Sequence, residues 1–238
     1  MRVLSFGGGL QTTALAILMA QGKVQADMAV FADTGGEKPE TYWYMQEWVE
    51  PLFAKLRVPF HRVKRKSAGG LSLYDKLWKY KDIPSLIKRQ CSANFKVQVI
   101  QEFVGKEAIH LIGFSTDEAK RADKPIHKGK LFPLIELGLS ASDCWHIIQS
   151  YGWPIPLKSS CFFCPFQRWT EWLWLRMNHP ELFEKALALE ANFHKRKPYL
   201  RNIIGLFGGK PLRHFAEGKQ QLLFTLQENS CWDGACGH

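Results

Sequence analysis

At 238 residues the chain has the size of one large domain, or of a domain with an appendage. It can bury about 70–75% of its unfolded surface without a disulfide staple. Its 46% hydrophobic and 23% charged residues are ordinary for a folded chain, and no run approaches the ~18 apolar residues of a membrane span. The net charge of +10 and pI near 9.3 point to an anionic partner, a nucleotide or a nucleic acid.

The first element is a short apolar run, Val3-Leu4, that stops at Ser5-Phe6. Gly7, Gly8 and Gly9 follow, then Gln11, Thr12 and Thr13, then a helical run to Ala20. This is a strand, a glycine loop and a helix N-terminus. Glycines allow positive φ and close approach of the backbone. The first amides of the helix, with the positive end of its dipole, face whatever occupies the loop. A phosphate suits that loop, and the hydroxyls of Thr12 and Thr13 with the Gln11 amide add donors. The alternative is an ordinary tight strand–helix turn. The pattern is neither a Walker A loop nor a dinucleotide fingerprint.

Met28 to Ala32 predicts a buried strand ending at Asp33-Thr34-Gly35, and Pro39 is placed to open the next helix. Strand, helix, strand, helix with short links predicts right-handed crossovers and a parallel sheet. The Gly7–Gly9 loop and Asp33-Thr34-Gly35 then lie together at the strands' carboxyl ends, where such sheets bind ligands. Pro59 to Val63 predicts a third strand, and a basic patch follows it. Between Leu71 and Lys88, Lys76, Lys79, Lys81 and Lys88 alternate with Tyr74, Trp78 and Tyr80. That is the pattern of an amphipathic helix with a solvated face, or of a nucleic-acid surface. His110 to Phe114 predicts a fourth strand, with Gly113 near its end. Asp117 and Arg121 follow it, as candidate catalytic groups at a strand's carboxyl end. From about residue 131 the pattern turns helical, which suggests a nucleotide-binding unit over 1–130 and a cysteine-containing helical region over 131–238.

Neither a span nor a secretory leader is visible, so the expected location is cytoplasmic, with no membrane partner. Six cysteines in such a chain suggest metal or redox chemistry rather than disulfides. Cys161 and Cys164 have the spacing of a two-thiolate chelate, and the Cys-x-x-Cys-Pro ending is frequent at iron–sulfur sites. A cubane takes up to four thiolates, and Cys91 with Cys231 or Cys236 can complete the set. Zinc, or a pair of buried thiols acting as small hydrophobes, are the alternatives. Cys144 reads as core.

Taken in order, Ser5 to Thr12, Asp33-Thr34-Gly35 with Pro39-Glu40-Thr41, Arg89-x-Cys91 with Lys96, Gly113 to Arg121, and Ser160-Cys-x-x-Cys-Pro165 resemble the phosphoadenosine phosphosulfate (PAPS) reductase family. That family is part of the PP-loop, or adenine nucleotide alpha-hydrolase, superfamily. The resemblance implies a Rossmann-like, doubly wound α/β fold with a mainly parallel sheet and helices on both faces. It also implies an adenine nucleotide, ATP or a sulfonucleotide, with its phosphates on the Gly7–Thr13 loop. Ser5, Phe6, Asp33, Thr34, Gly35 and Gly113 would line the site, and Arg89, Lys96 and Arg121 would contact anions. In cluster-containing relatives the cysteines hold a [4Fe–4S] centre; Cys91, Cys161 and Cys164 match those positions, and Cys231 is the candidate fourth ligand. Departures are Gln11 where pyrophosphatase members carry Asp, Gln90 in place of a second adjacent cysteine, and a tail Ala235-Cys236-Gly237-His238 without the preceding Glu.

Three functions follow. The leading expectation is an ATP-using transferase, with Mg²⁺ as a further candidate cofactor. It would adenylate a nucleic acid (tRNA or DNA) or a nucleoside for sulfur transfer, with a cysteine desulfurase as a candidate donor. The second is a PAPS or adenosine phosphosulfate reductase, in which Cys236 is the nucleophile and thioredoxin the reductant. The third is a nucleotide- and cluster-binding redox regulator.

Overall fold

The computed structural model describes residues 1–66 and 70–217. Four strands, β1 (Arg2–Phe6), β2 (Met28–Asp33), β3 (Phe60–Lys64) and β4 (Ile109–Leu111), form one parallel sheet in the order β3-β2-β1-β4. Side chains along a strand alternate between faces, and here both faces are covered. Leu4, Ala29 and Phe31 point into one apolar cluster with helix α1 (Leu10–Ala20). Val3, Val30 and Ala32 point into another with Val99 and Ile100 of the helix Gln98–Val104. Burial on both faces explains why β1 and β2 read as continuous apolar runs rather than alternating ones. The sheet is the doubly wound α/β arrangement expected from the sequence.

The helix after β2 runs as α2 (Pro39–Tyr44), a π-type turn at Met45–Val49, and α3 (Glu50–Leu56). Pro51 has no N–H to return to a carbonyl one turn back, and the widened turn lies just before it. β3 starts one residue later than predicted, because Pro59 cannot donate to the ladder although its carbonyl accepts from Ala29 N at 2.9 Å. β4 is shorter than predicted. On the edge away from β1, Leu111 bridges to Leu131, whose N–H bonds His110 O and whose carbonyl takes Ile112 N, both at 2.9 Å. The chain then turns at Gly113 instead of extending to Phe114.

The helix Ala141–Ser150 packs Cys144 and Ile148 into the α1 cluster. The later helices, Trp169–Asn178, Pro180–Arg196 and Leu212–Glu217, form a second core around Trp172, Phe183 and Leu189. Phe162 and Phe163 of the Cys-x-x-Cys loop belong to this second core. Among the described residues no helix is long and apolar enough to cross a membrane.

Candidate active site

The strand order reverses beside β1: β2 and β3 lie on one side of it and β4 on the other. The carboxyl ends of β1 and β4 therefore form a topological switch point, the usual crevice for a ligand in an open α/β sheet. The Gly7–Thr13 loop sits there. Thr12 Oγ1 accepts from Gly7 N at 3.3 Å and donates to Gly9 O at 3.2 Å, closing the loop on itself. Thr13 N–H takes up Gly9 O at 3.0 Å, so the helix amides before it have no intrahelical partner.

The loop is hemmed in on three sides. Gly8 has φ +78°, and a Cβ there would lie 2.9 Å from Thr41 Cγ2. A Cβ on Gly9 would meet Ser159 Oγ at 3.1 Å, and one on Gly113 would meet Thr12 Cγ2 at 2.9 Å. The hydroxyls of Thr13, Thr41 and Ser160 are buried with no hydrogen-bond partner. Thr41 and Ser159 were not singled out as site residues from the sequence. Their signal lay in their sequence neighbours, the Pro-Glu-Thr segment and the Ser-Ser before Cys161.

A cavity of about 640 Å³ opens beside the loop, within the range of small-ligand pockets. Ser5, Phe6 and Gly7 form one wall, and Lys96, Lys106, Lys128 and Lys130 bring cations, with Glu107 the one carboxylate of the lining. Ser5 Oγ lies 3.2 Å from His110 Nδ1. Burial and the neighbouring Lys130 push the His110 imidazole below its ordinary value, so it is neutral at physiological pH. Burial likewise lowers the Lys130 ammonium. The lysines of 106–130 and His110 were missed in the sequence because they come from separate loops that only β4 and its Leu131 pairing bring together.

On the other side of the loop, Asp33 is fully engaged. Its Oδ1 accepts from Gly35 N at 2.7 Å and from Tyr42 OH at 2.6 Å, and Lys64 Nζ lies 3.4 Å from Oδ2. Burial, with this bond to Asp33, pushes the Tyr42 phenol above its ordinary range. Gly35 has φ +69° and packs on Ser72, the N-cap of α4 (Leu73–Lys79). Past Gly36 the cysteine loop joins. Phe162 N bonds Gly36 O at 2.8 Å, Cys161 pairs with Glu37 as a bridge, and Thr34 Oγ1 is 3.3 Å from Cys161 Sγ.

Glu37 has no exposed side-chain surface; Oε1 bonds Lys96 Nζ at 2.9 Å and Oε2 is buried without a partner. Burial alone would lower the Lys96 ammonium, but Glu37 and the adjacent Cys161 sulfur outweigh it and hold it above its ordinary value. Lys96 thereby belongs both to the cavity wall and to the cysteine loop. Burial, reinforced by Glu37, raises the Cys161 thiol, and burial raises the Cys164 thiol. Both are held as neutral thiols, poor nucleophiles as they stand.

Cys91 is close enough to Cys164 to influence its ionisation, so three of the expected cluster ligands share one neighbourhood. Among the described residues, however, no group of three or more His, Cys, Asp or Glu side chains is placed to hold a metal ion. The donors suit a thiolate-held centre in kind, but these three alone do not close around one. Cys231 and Cys236 lie outside the described residues.

Asp117 and Arg121 are tied into the fold. Asp117 Oδ2 accepts from Ala141 N at 2.6 Å and from Ser115 Oγ at 3.2 Å, holding the start of the helix Ala141–Ser150. Arg121 pairs with Glu118 and stacks over Phe114 at 4.4 Å. Arg89, in the left-handed region with φ 43°, lies over Phe166 at 4.4 Å, against the cysteine loop rather than the glycine loop.

The family model for the phosphoadenosine phosphosulfate reductase domain matches residues 2–171, spanning the glycine loop, Asp33-Thr34-Gly35 and both cysteines of the Cys-x-x-Cys. The chain belongs to the PAPS reductase family. A search of curated proteins found no match. Within a PAPS reductase-family domain, the sheet, glycine loop and cysteine loop form one assembly, and the helices beyond residue 171 buttress it from behind Phe163 and Trp172.

Proposed function

We propose that this chain is a sulfonucleotide enzyme: it binds an adenine nucleotide with its phosphate and sulfate groups on the Gly7–Thr13 loop and cleaves the bond to sulfur. The observation that carries this reading is the continuity of the loop with the lysine-lined cavity at the switch point. Loop amides and lysines stabilise an anion and the charge that develops on a departing phosphate. The carboxylates that flank the strand ends are committed elsewhere: Asp33 to Gly35 and Tyr42, Glu37 to Lys96, Asp117 to Ala141. Apart from Glu107 in the cavity wall, ligand charge in the crevice is therefore met by cations and amides, which supports a sulfonucleotide over a nucleotide carried with a protein-held Mg²⁺.

In the reductase chemistry a Cys236 thiolate attacks the sulfonate sulfur, the S–O bond to the nucleotide breaks, and the nucleotide leaves as its phosphate. A dithiol protein such as thioredoxin then attacks the enzyme's sulfur, releases sulfite, and is left as the disulfide. Cys161 and Cys164 are not assigned this role, being set in the loop packed against Thr34 and Glu37. As part of the same reading, they and Cys91, with Cys231, are the proposed ligands of a [4Fe–4S] centre; no step is assigned to it.

Calorimetric titration with PAPS, adenosine phosphosulfate and ATP tests the reading, with sulfite release followed in parallel. Sulfonucleotide binding that is lost in Gly8→Ala, and sulfite release that is lost in Cys236→Ser, are expected. Binding of ATP alone with pyrophosphate release would overturn it in favour of the adenylating transferase. That second reading is favoured by one observation, a basic and aromatic face one short helix away from the site.

A further inference from the structure

Helix α4 is anchored at the site and leads away from it. Its N-cap Ser72 packs on Gly35, and Leu73 N bonds Thr34 O at 2.9 Å. Trp78, five residues after Leu73, and the C-cap Tyr80, seven residues after it and about 10 Å along the axis, reach the surface, 44% and 54% exposed. An aromatic series connects the two ends. Tyr74 lies 5.6 Å from Phe163 of the cysteine loop on one side and stacks on Trp78 on the other, at 6.1 Å and 19°.

The end of the helix Pro180–Arg196 is fastened to this same spot. Asn192 Nδ2 donates to Trp78 O at 2.8 Å, and Arg196 NH1 to Tyr80 O at 2.9 Å. The fastening joins two basic segments more than 100 residues apart. Residues 76–89 carry five cations against one carboxylate, and 195–201 carry four cations and none. Lys79 lies 5.8 Å from the Tyr80 ring, and Tyr199 is 73% exposed nearby in sequence to Arg196. The one carboxylate, Asp82, accepts from Ile83 N at 3.0 Å.

Cations interleaved with exposed, stackable rings match a flexible polyanion that carries aromatic faces. A solvated helix face would need the lysines but not the exposed Trp78, Tyr80 and Tyr199. We propose that this platform, built from Trp78, Tyr80, Lys79 and Lys81 of one segment and Lys195 and Arg196 of the other, binds a single-stranded nucleic acid. Bases stack on the exposed rings and phosphates meet the cations. The aromatic series then points the strand toward the crevice. The inference stands apart from the nucleotide reading and is measured with no nucleotide added.

The test is fluorescence anisotropy of the full chain with a labelled, mixed-sequence single-stranded DNA of about 16 nucleotides, over a range of salt. Binding is expected, and Trp78→Ala should weaken it at least about fivefold, whereas Trp78→Phe keeps a stacking ring and most of the affinity. Lys79→Gln with Lys195→Gln should flatten the slope of log affinity against log salt by about 1.4, two contacts at about 0.7 each. Thermal melts establish that each variant is folded. Three results would overturn the proposal: no binding at low salt, equal binding by a duplex with no effect of Trp78→Ala, or displacement by polyglutamate with the same indifference. Gly8→Ala should leave oligonucleotide binding intact and the lysine variants should leave nucleotide binding intact, so the two readings fail separately.

Discussion

Glu37 sits with its side chain wholly out of water, one oxygen on Lys96 and the other unpartnered. Glu37→Gln keeps the shape and removes the charge, leaving the Lys96 ammonium without its counter-ion. Lys96 is 35% exposed, so solvent relieves part of the loss, and a destabilisation of about 1–3 kcal/mol is expected in denaturant unfolding. Lys96→Met should cost more, because the carboxylate it strands has no solvent to turn to. The Lys96 pKa is raised in the fold, so this stabilisation is fully present below 10.5 and is lost only as pH rises through the folded value. Between pH 6 and 9 the ion pair should therefore add no slope of its own. At Gly8, alanine would have to hold φ +78° with its Cβ against Thr41, and a loss of more than about 1 kcal/mol should accompany the loss of nucleotide binding. The glycine was legible in the sequence as a loop former. The engagement of Asp33 and Asp117 was not, because a carboxylate's role is set by the donors that reach it, and those come from Tyr42 and Ala141.

At the level of elements, the strands were legible because both sheet faces are covered and the runs are continuously apolar. Their ends were displaced where one proline or one extra partner, Leu131, decides the ladder. The pattern announced helical structure beyond residue 131 but not that the helix Ala141–Ser150 packs on α1. Its start is set by a capping box, with Ser140 Oγ accepting from Asp143 N at 3.2 Å and Asp143 accepting from Ser140 N at 2.8 Å. Ser140→Ala should cost about 1 kcal/mol, read as a lower melting temperature with nucleotide binding unchanged. Cys144, inside the same helix, is fully buried, and burial pushes its thiol from 9.0 to about 12. Its folded pKa lies above the unfolded one, so the stabilisation is complete below pH 9 and declines from 9 towards 12, by about 1.4 kcal/mol per pH unit. Melting temperature should fall accordingly on alkaline titration, and more shallowly in Cys144→Ala.

On the scale of the molecule, the net charge of +10 forecast an anionic partner but not its location. The fold gathers some of those cations in two places, the lysines around the cavity and the platform beyond α4. It also places three cysteines, at 91, 161 and 164, in one neighbourhood, a convergence that spacing alone suggested only for the last two. Anaerobic purification with iron and sulfide analysis should find about four of each per chain, both lost in Cys161→Ser, if the tail supplies the remaining thiol. Iron-free protein would leave the three as packing groups.

The bond from Phe162 N to Gly36 O joins positions 126 residues apart, and such distant closures come slowly because so much chain must be ordered before they form. During synthesis the glycine loop leaves the ribosome more than 140 residues ahead of the Cys-x-x-Cys loop that abuts Thr34 and Glu37. The crevice is consequently complete only once both loops have been made. A nascent chain halted before residue 160 would expose Gly36 and Glu37 without their cover and leave the glycine loop without its enclosure.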